Sequence, residues 1–413
     1  MVVRDAGAAR KNSFNGPIAG TDHLPAPRYH EHNGTFQLPS FSDLRVRFSC
    51  RAIPTFSKFP VCATFDGQDD QYTKTTKQKP RTQSETTRIM KAIQFQFKKP
   101  EDISIVDIEK PIPADDEVLI KVEHSALDTA HLPCIEKEMA GYFVHKMSDP
   151  LFLGYHYSGK VEQVGSDVKD LTIGTEVFGF LQYVSGQTQG AFAEYITAKP
   201  SECAKKPSRI TSSVAAASTT EPVTALQAIR DLGGLKKGSS ILIVGAAGGV
   251  GSAAVQIAKQ LGASVTAVCS AKDTDQVAKW GADNVINRSI NPDYYNELVK
   301  KEEKFSVIFD TADALPAAAT RLLEKNGAMA YPTPTMAFIW NKIMSIFNGK
   351  KSEFIMCESK KEDLDFVAKM LADGSLQVPI DSSFKVKDMA DAMKKQKGRK
   401  SGRVVIQVDG GWE

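Results

Sequence analysis

The sequence predicts an α/β fold that combines a parallel, doubly wound sheet with a β-rich, barrel-like unit. Short alternating runs typical of strands begin at Met90, strands alternate with helices after about Ser212, and a glycine cluster joins a buried strand to a helix at residues 241–252. A chain of 413 residues is long enough for about two domains. These patterns divide the chain into segments 1–89, 90–213, 214–349 and 350–413.

Residues 1–89 are rich in Ser, Thr, Pro and Asn and show no sustained period of 2 or 3.6, so we expect a disordered extension. The extension contains 13 Lys and Arg against 8 Asp and Glu. A basic, hydroxyl-rich composition fits an organelle transit peptide, although such peptides contain few acidic residues. A nonspecific tail, or a start site misassigned upstream of Met90, remains open. The location is therefore expected to be cytoplasmic, or mitochondrial or plastidic if the extension is a transit peptide.

Segment 90–213 reads as short strands separated by turns, which favours a partly closed barrel. The predicted strands are Lys91–Phe97, Glu117–His124, Ser158–Val164, Glu176–Phe180 and Phe192–Ile196.

After Ser212 the pattern changes to alternating helices and strands, which predicts a parallel sheet. The predicted helices are Ser213–Leu232 with a break near Pro222, Ser252–Leu261, Lys272–Trp280, Lys361–Ala372 and Val386–Lys395. The predicted strands are Ser240–Val244, Ser264–Cys269, Asn284–Ile286, Phe305–Phe309, Ala328–Tyr331 as the end of the parallel series, and Arg403–Val408 at the end of the chain.

The glycine cluster predicts a turn that binds a dinucleotide diphosphate. Glycine permits positive φ, lets the backbone approach a phosphate closely, and allows the following helix to pack on the strand. The helix start then offers free N–H groups to the phosphates. A purely structural glycine turn is the alternative. The predicted cofactor-binding residues here are Gly245, Ala246, Ala247, Gly248, Gly249, Val250 and Gly251.

The end of the next strand indicates which dinucleotide binds. An Asp or Glu there would hydrogen-bond the ribose of NAD, whereas this chain has Ser270 followed by Lys272, which fit the 2′-phosphate of NADPH. Asp273 and Asp275 lie close by, and a shifted register would reverse the assignment. We therefore expect NADPH and keep NADH as the alternative.

Composition and charge exclude several functions. Residues 90–413 contain 39 Lys and Arg against 41 Asp and Glu, so a nucleic-acid-binding surface is not expected. The apolar window Ile241–Ala258 has about the length of a membrane span, but its glycines indicate strand, turn and helix, and no integral span is predicted. The six cysteines show no CxxC pattern and are expected to be free thiols.

From about Met90 to Val408 the chain resembles the medium-chain dehydrogenase/reductases, and within them the zinc-independent quinone oxidoreductases and enoyl-reductase-like proteins. The resemblance implies a Rossmann domain inserted into a GroES-like catalytic domain that is built from both ends of the chain. It also implies a homodimer. The matching motifs are Met90-Lys91-Ala92, Gly154 to Gly159 with Val164-Gly165, Gly174 with Val177-Phe178-Gly179, Gly190 to Ile196, the GAAGGVG turn, and Gly281-Ala282-Asp283.

Compared with the zinc-dependent alcohol dehydrogenases of this family, the chain has Asp128 and Tyr155 at the places of a Cys and a His ligand, so no metal is expected. Three positions also depart from the quinone oxidoreductase pattern. His156 stands where Asp or Glu is usual, Asp128 where Asn is usual, and Arg288 where Tyr is usual. Arg288 is a further candidate for the 2′-phosphate.

The resemblance implies hydride transfer from NADPH to a quinone or an α,β-unsaturated carbonyl, with proton delivery to the developing anion. Without zinc, hydrogen-bond donors must polarise the acceptor. Tyr142 and His131 are the candidate donors, Asp128 the orienting group, and Thr224 a nicotinamide contact by resemblance. A cofactor-binding scaffold or nucleic-acid-associated protein with little catalysis is the alternative. A short-chain dehydrogenase is disfavoured because no suitably placed Tyr-x-x-x-Lys follows the turn.

Overall fold

The computed structural model describes residues 89–398 and 402–413, so the predicted disorder of the extension lies outside the described residues, apart from Ile89. The strands are β1 Ile89–Gln96, β2 Lys99–Glu109, β3 Val118–Ala126, β4 Leu151–Phe152, β5 His156–Val164, β6 Glu176–Phe180, β7 Tyr195–Ala198, β8 Cys203–Lys205, β9 Ser240–Val244, β10 Ser264–Cys269, β11 Asn284–Asn287, β12 Phe305–Asp310, β13 Leu323–Tyr331, β14 Lys351–Phe354, β15 Ile380–Lys385 and β16 Arg403–Gln407. The α-helices are α1 His131–Ile135, α2 Gly141–Val144, α3 Ser212–Ala217, α4 Thr220–Leu226, α5 Gly249–Gln260, α6 Thr274–Lys279, α7 Tyr294–Lys300, α8 Met336–Asn348, α9 Lys361–Asp373 and α10 Met389–Lys397.

Strands β9 to β14 form a six-stranded parallel sheet in the order β11-β10-β9-β12-β13-β14. Its central strand β9 is fully buried from Ile241 to Val244, as expected for a sheet covered on both faces. The chain runs outward from β9 to β11 and then returns to β12 on the other side of β9. Ligands of doubly wound sheets bind at such a reversal, which here lies at the ends of β9 and β12.

The β-rich part is a seven-stranded sheet in the order β15-β16-β3-β5-β6-β8, with β7 also paired to β3. Strand β16 comes from the C-terminal end of the chain and pairs antiparallel with β3, where Val405 lies opposite Ala126. A smaller sheet, β2-β1-β4, completes this part. The expected fold class, a Rossmann sheet combined with a GroES-like unit, is confirmed.

Several elements differ from the expectations. The helix predicted over 213–232 breaks at Ser218 and Thr219, and Pro222 lies instead in the first turn of α4, where a proline needs no intrahelical N–H bond. The parallel series does not end at Tyr331, because α8 and β14 follow and β14 pairs with β13. The sheet therefore extends to Phe354, beyond the predicted boundary at residue 349. In the described part of the chain, no helix is long and apolar enough to cross a membrane.

Candidate active site and cofactor turn

The turn between β9 and α5 is shaped by its glycines. Gly245 has a φ of 81°, which is the left-handed region, and a Cβ on it would lie 2.6 Å from Thr311 Oγ1. Gly251 lies in the first turn of α5, where a Cβ would come within 2.2 Å of the Gly245 carbonyl oxygen. The strand, turn and helix therefore pack closer than any larger residue would allow.

The same turn presents unused hydrogen-bond donors at the positive end of α5. The Gly248 amide donates to the Gly245 carbonyl at 2.9 Å. The amides of Ala247, Gly249, Val250 and Gly251 have no acceptor among the described residues. Several N–H groups at a helix start form an anion site, so the turn fits the diphosphate of a dinucleotide.

A cavity of about 490 Å³ borders this turn, in the size range of small-molecule pockets. It begins at Ala247, passes Asp273 and Gln276, and reaches Trp280. None of its lining residues is Asp128 or a residue hydrogen-bonded to Asp128.

The groups predicted to choose between NADPH and NADH lie at the ends of β10 and β11. The Ser270 hydroxyl donates to Asp273 Oδ2 at 2.5 Å, and Lys272 Nζ lies 3.8 Å from the same carboxylate. Arg288 follows β11, and its amide donates to the Cys269 carbonyl at 3.0 Å. The Arg288 side chain is exposed and makes no ion pair within the described residues. The structure thus brings Ser270 and Lys272 together, with Asp273 between them and Arg288 on the next strand.

The second part of the site is a buried polar cluster centred on Asp128, which is 6% exposed. Asp128 Oδ2 accepts hydrogen bonds from His156 Nε2 at 2.8 Å and from the Tyr183 hydroxyl at 2.6 Å. Asp128 Oδ1 accepts from the Ala130 amide at 2.8 Å and lies 3.0 Å from His131 Nδ1. Both carboxylate oxygens are therefore engaged.

Burial and contacts set the protonation of this cluster. Burial alone would raise the pKa of Asp128, but His131 and His156 hold that pKa well below its ordinary range. Burial lowers the pKa of His156 to about 4, so His156 is neutral at neutral pH. Because a carboxylate only accepts, the His156 proton is assigned to Nε2, and Nδ1 accepts from the Thr219 hydroxyl at 2.6 Å. Burial, followed by Asp128, raises the pKa of Tyr183 well above its ordinary range and keeps that hydroxyl protonated.

Contacts connect the cluster to the glycine turn. The Thr220 hydroxyl lies 3.3 Å from His156 Nδ1 and 3.1 Å from Glu221 Oε2. Glu221 forms an ion pair with Arg403, which is 6% exposed. Glu221 Cγ lies 3.2 Å from the position that a Cβ on Gly249 would take. Burial lowers the pKa of Arg403 to about 10, so its charge is retained at neutral pH. The polar cluster and the start of α5 are therefore parts of one site.

Comparisons with known proteins agree with this architecture. A model described as the alcohol dehydrogenase GroES-like domain matches residues 114–208, and one described as zinc-binding dehydrogenase matches residues 280–406. The mitochondrial NAD(P)H oxidoreductase RTN4IP1 of Mus musculus is 30% identical over 285 residues, covering 63% of this chain and 71% of that protein. The chain belongs to the medium-chain dehydrogenase/reductase superfamily.

Other relatives place the chain on the quinone oxidoreductase-like branch of the medium-chain dehydrogenase/reductases and show that it is an oxidoreductase. The chloroplast envelope quinone oxidoreductase homolog of Arabidopsis thaliana is 29% identical over 311 residues, covering 73% of this chain and 93% of that protein. The solved structure of the quinone oxidoreductase from Coxiella burnetii superposes with a TM-score of 0.65 at 25% identity, covering 78% of this chain and all of that one. Members of this superfamily use nicotinamide cofactors.

The catalytic residues predicted for this medium-chain dehydrogenase/reductase are only partly brought together. Asp128 and His131 lie in the cluster, and His131 Nε2 is buried without a hydrogen-bond partner among the described residues. Tyr142 lies on the one-turn helix α2, is 47% exposed, and makes no hydrogen bond or ring contact to the cluster in the described part of the chain. Thr224 lies on α4, and the buried Cys357 thiol, whose pKa burial raises to about 12, donates to the Thr220 carbonyl of the same helix at 3.9 Å.

Sequence reasoning did not identify Tyr183, Glu221 or Arg403 as site residues. Tyr183 lies in a loop after β6 and gives no local signal. The two charged residues do give one, because each lies next to a stretch of small or apolar residues. Arg403 begins the run RVVIQ, and Glu221 follows a segment rich in Ala and Thr. A charged residue in such surroundings is buried only when it is paired.

Proposed function

We propose that the chain is a zinc-independent, NADPH-dependent oxidoreductase that transfers a hydride to a quinone or an α,β-unsaturated carbonyl. The observation that best supports this proposal is the complete hydrogen bonding of Asp128. At the position where zinc-dependent relatives are expected to hold a metal ligand, both oxygens of this carboxylate already accept protein donors. The Tyr155 hydroxyl, at the other ligand position, lies 3.5 Å from the Cys134 thiol.

Metal binding at this place would require breaking those contacts. The described residues include no group of three or more His, Cys, Asp or Glu side chains arranged to hold a metal ion. Zinc independence is therefore tested directly: activity should survive dialysis against a chelator, and added Zn²⁺ should not raise it. Loss of activity to the chelator, with recovery on adding Zn²⁺, would refute this part of the proposal.

A nicotinamide dinucleotide would supply the hydride, and this chain's residues would hold and orient it. The four free amides at the start of α5 bind the diphosphate. Lys272 and Arg288 bind the 2′-phosphate of NADPH, Arg288 by a two-point contact.

One observation favours NADH instead. Asp273 accepts the Ser270 hydroxyl at the place where the phosphate would lie, and an aspartate there could accept a hydrogen bond from the ribose. The two cofactors are separated by kinetics with both. If NADPH is used, Lys272→Ala and Arg288→Ala raise the KM for NADPH, whereas Asp273→Asn lowers it. If NADH is used, Asp273→Asn raises the KM for NADH, and the two cation variants behave like wild type.

For the proton, we propose that His131 and the Tyr183 hydroxyl polarise the acceptor. Asp128 holds both groups in place before the acceptor binds, and the single Tyr183 proton then turns from Asp128 Oδ2 to the acceptor. Tyr183 stays protonated, and its hydroxyl is held on Asp128 at 2.6 Å. The matched pair Tyr183→Phe and Tyr142→Phe removes the same hydroxyl from a partly buried and an exposed position. We expect Tyr183→Phe to lower kcat by about 100-fold, within the range for a lost general acid, and Tyr142→Phe to leave it unchanged. The opposite result would restore Tyr142 as the donor.

The decisive experiment is an acceptor screen with the purified full-length chain, which follows oxidation of NADPH and NADH in the presence of quinones and enones. Turnover with at least one acceptor is expected. Tight cofactor binding with no turnover on any acceptor would favour the scaffold alternative.

We also propose a homodimer, to be checked by light scattering. The compartment can be determined by imaging residues 1–89 fused to a fluorescent protein, with import into mitochondria or plastids expected if this segment is a transit peptide.

A further inference from the structure

The carboxylate of Glu221 lies beside the glycine turn, next to the amides proposed to bind the cofactor diphosphate. Glu221 belongs to the first turn of α4, and its side chain is 12% exposed. Its Cγ and Oε1 lie 3.2 and 3.8 Å from the position that a Cβ on Gly249 would take. Gly249 is the first residue of α5. A negative charge therefore already stands at the positive end of this helix.

Arg403 holds the Glu221 carboxylate in this position. The two side chains form an ion pair, and Arg403 forms no other ion pair within the described residues. One nitrogen of Arg403, Nη2, lies 3.4 Å from His156 Nε2, which gives its proton to Asp128 and offers Arg403 no negative charge. Arg403 Nε is buried without a hydrogen-bond partner in the described part of the chain. A buried cation is costly without an anion beside it, and the anion in direct contact with Arg403 is Glu221.

A bound diphosphate would bring a second anion to the same place. Phosphate oxygens accept from helix-start amides at about 3 Å, so a phosphate held by the Gly249 amide would come close to the Glu221 carboxylate. Like charges at such short range repel strongly in a site that is largely shielded from water. The contacts seen in this structure therefore do not accommodate the Glu221 carboxylate and a diphosphate together.

We propose that Glu221 is an internal competitor of the cofactor, whose carboxylate stands in for the diphosphate in the free protein and leaves when the dinucleotide binds. This role of Glu221 rests on the proposed function of the turn as a dinucleotide site. Exchange of one anion for another avoids a stage at which Arg403 is buried without a negative partner. Glu221 thus stabilises the free enzyme and lowers its affinity for the cofactor, which favours release of the oxidised dinucleotide after turnover.

The test is calorimetric titration of the full-length chain with ADP-ribose. This probe carries the diphosphate but neither the nicotinamide nor the 2′-phosphate, so it reports on the turn whether the enzyme uses NADPH or NADH. Glu221→Gln removes the negative charge and keeps the size of the side chain. We expect Glu221→Gln to bind ADP-ribose about 10- to 100-fold more tightly than wild type, which is the range for one interaction with a charged group.

Asp363→Asn is the matched control, because it also removes one buried negative charge that contacts an arginine. Asp363 lies on α9, is 2% exposed, and accepts hydrogen bonds from Arg230 and Gln227 at 2.7 Å each. Asp363→Asn should bind ADP-ribose as wild type does. Equal tightening in Glu221→Gln and Asp363→Asn would assign the effect to net charge and would refute the proposal.

A crystal structure of the wild type with ADP-ribose gives a second result that does not require a variant to fold. The Glu221 carboxylate should have moved away from Gly249 and Arg403. ADP-ribose bound at the turn beside an intact Glu221–Arg403 pair would overturn the competition, and so would unchanged or weaker binding by folded Glu221→Gln; either result leaves the proposed dinucleotide site standing. Absence of ADP-ribose binding by both wild type and Glu221→Gln would instead overturn the site itself, and the competition with it.

Discussion

Gly251 offers the sharpest test of how the cofactor turn is built. In Gly251→Ala the new Cβ would lie 2.2 Å from the Gly245 carbonyl oxygen and 3.0 Å from Ala246 Cα, both backbone atoms that cannot rotate away. The turn must then shift by about 1 Å, and overpacking of this kind costs about 1–3 kcal/mol. The shift also misaligns the free amides, and a lost hydrogen bond to a charged group is worth about 1.5–3 kcal/mol, or about 10- to 100-fold in Kd.

Two readouts check this reasoning: the thermal unfolding midpoint without cofactor, and calorimetric titration with NADPH. Gly251→Ala should lower the midpoint by several degrees and weaken NADPH binding about 10- to 100-fold. Gly186→Ala is the matched control, because a Cβ there meets nothing within 4 Å, and neither quantity should change. At Gly248 the nearest atom to a Cβ is 3.3 Å away, so Gly248→Ala should keep the midpoint. Wild-type stability and affinity in Gly251→Ala would show that the turn does not bind the cofactor as described.

Three further predictions concern the buried charges and the proposed independence of zinc. Removing either member of the Glu221–Arg403 ion pair should lower the free energy of unfolding, measured by chemical denaturation, by about 3–5 kcal/mol. The double variant Glu221→Gln/Arg403→Met should lose less than the sum of the two single losses. Additive losses would mean that the pair is not coupled. Burial lowers the pKa of His145 and His156 to about 4, so the unfolded chain binds their protons first as the pH falls. Each neutral histidine should contribute fully to the free energy of unfolding above about pH 6.5, and this contribution should fall by about 3 kcal/mol as the pH drops toward 4. The variant His145→Phe should make the free energy of unfolding less dependent on pH in this range. The same pH dependence in wild type and variant would contradict the prediction. His156→Gln should weaken activity without making the enzyme depend on added Zn²⁺, as judged by steady-state rates.

The fold could be predicted from the sequence wherever the signal was local. The buried run Ile241–Val244 and the glycines after it lie within a few residues of each other, and the structure places them as strand, turn and helix. The helix α8 was not predicted, since its apolar stripe faces outward and its one buried polar residue, Asn341, faces the sheet. A helix whose apolar residues face solvent and whose polar residue faces the sheet cannot be oriented from its sequence pattern.

The candidate site could likewise be predicted only where its residues lie close together in the sequence. Asp128 and His131 are three residues apart, and the structure places them in contact. Tyr183 joins them from a separate loop, and Arg403 comes from the other end of the chain. Such contacts depend on how distant strands pair, which residue spacing does not contain. Tyr142, a predicted donor, lies on the one-turn helix α2 and is 47% exposed.

The pairing of β16 with β3 has a consequence for how the protein is made. The contact between Val405 and Ala126 cannot form until the ribosome has released nearly the whole chain, whereas the parallel sheet between them is continuous in sequence. Non-local pairings of this length are slow to form, so we expect the nucleotide-binding half to fold during synthesis and the catalytic half to close afterwards. There would then be an interval during which the dinucleotide site has formed but the catalytic half has not closed, and the chain would be sensitive to chaperones in that interval.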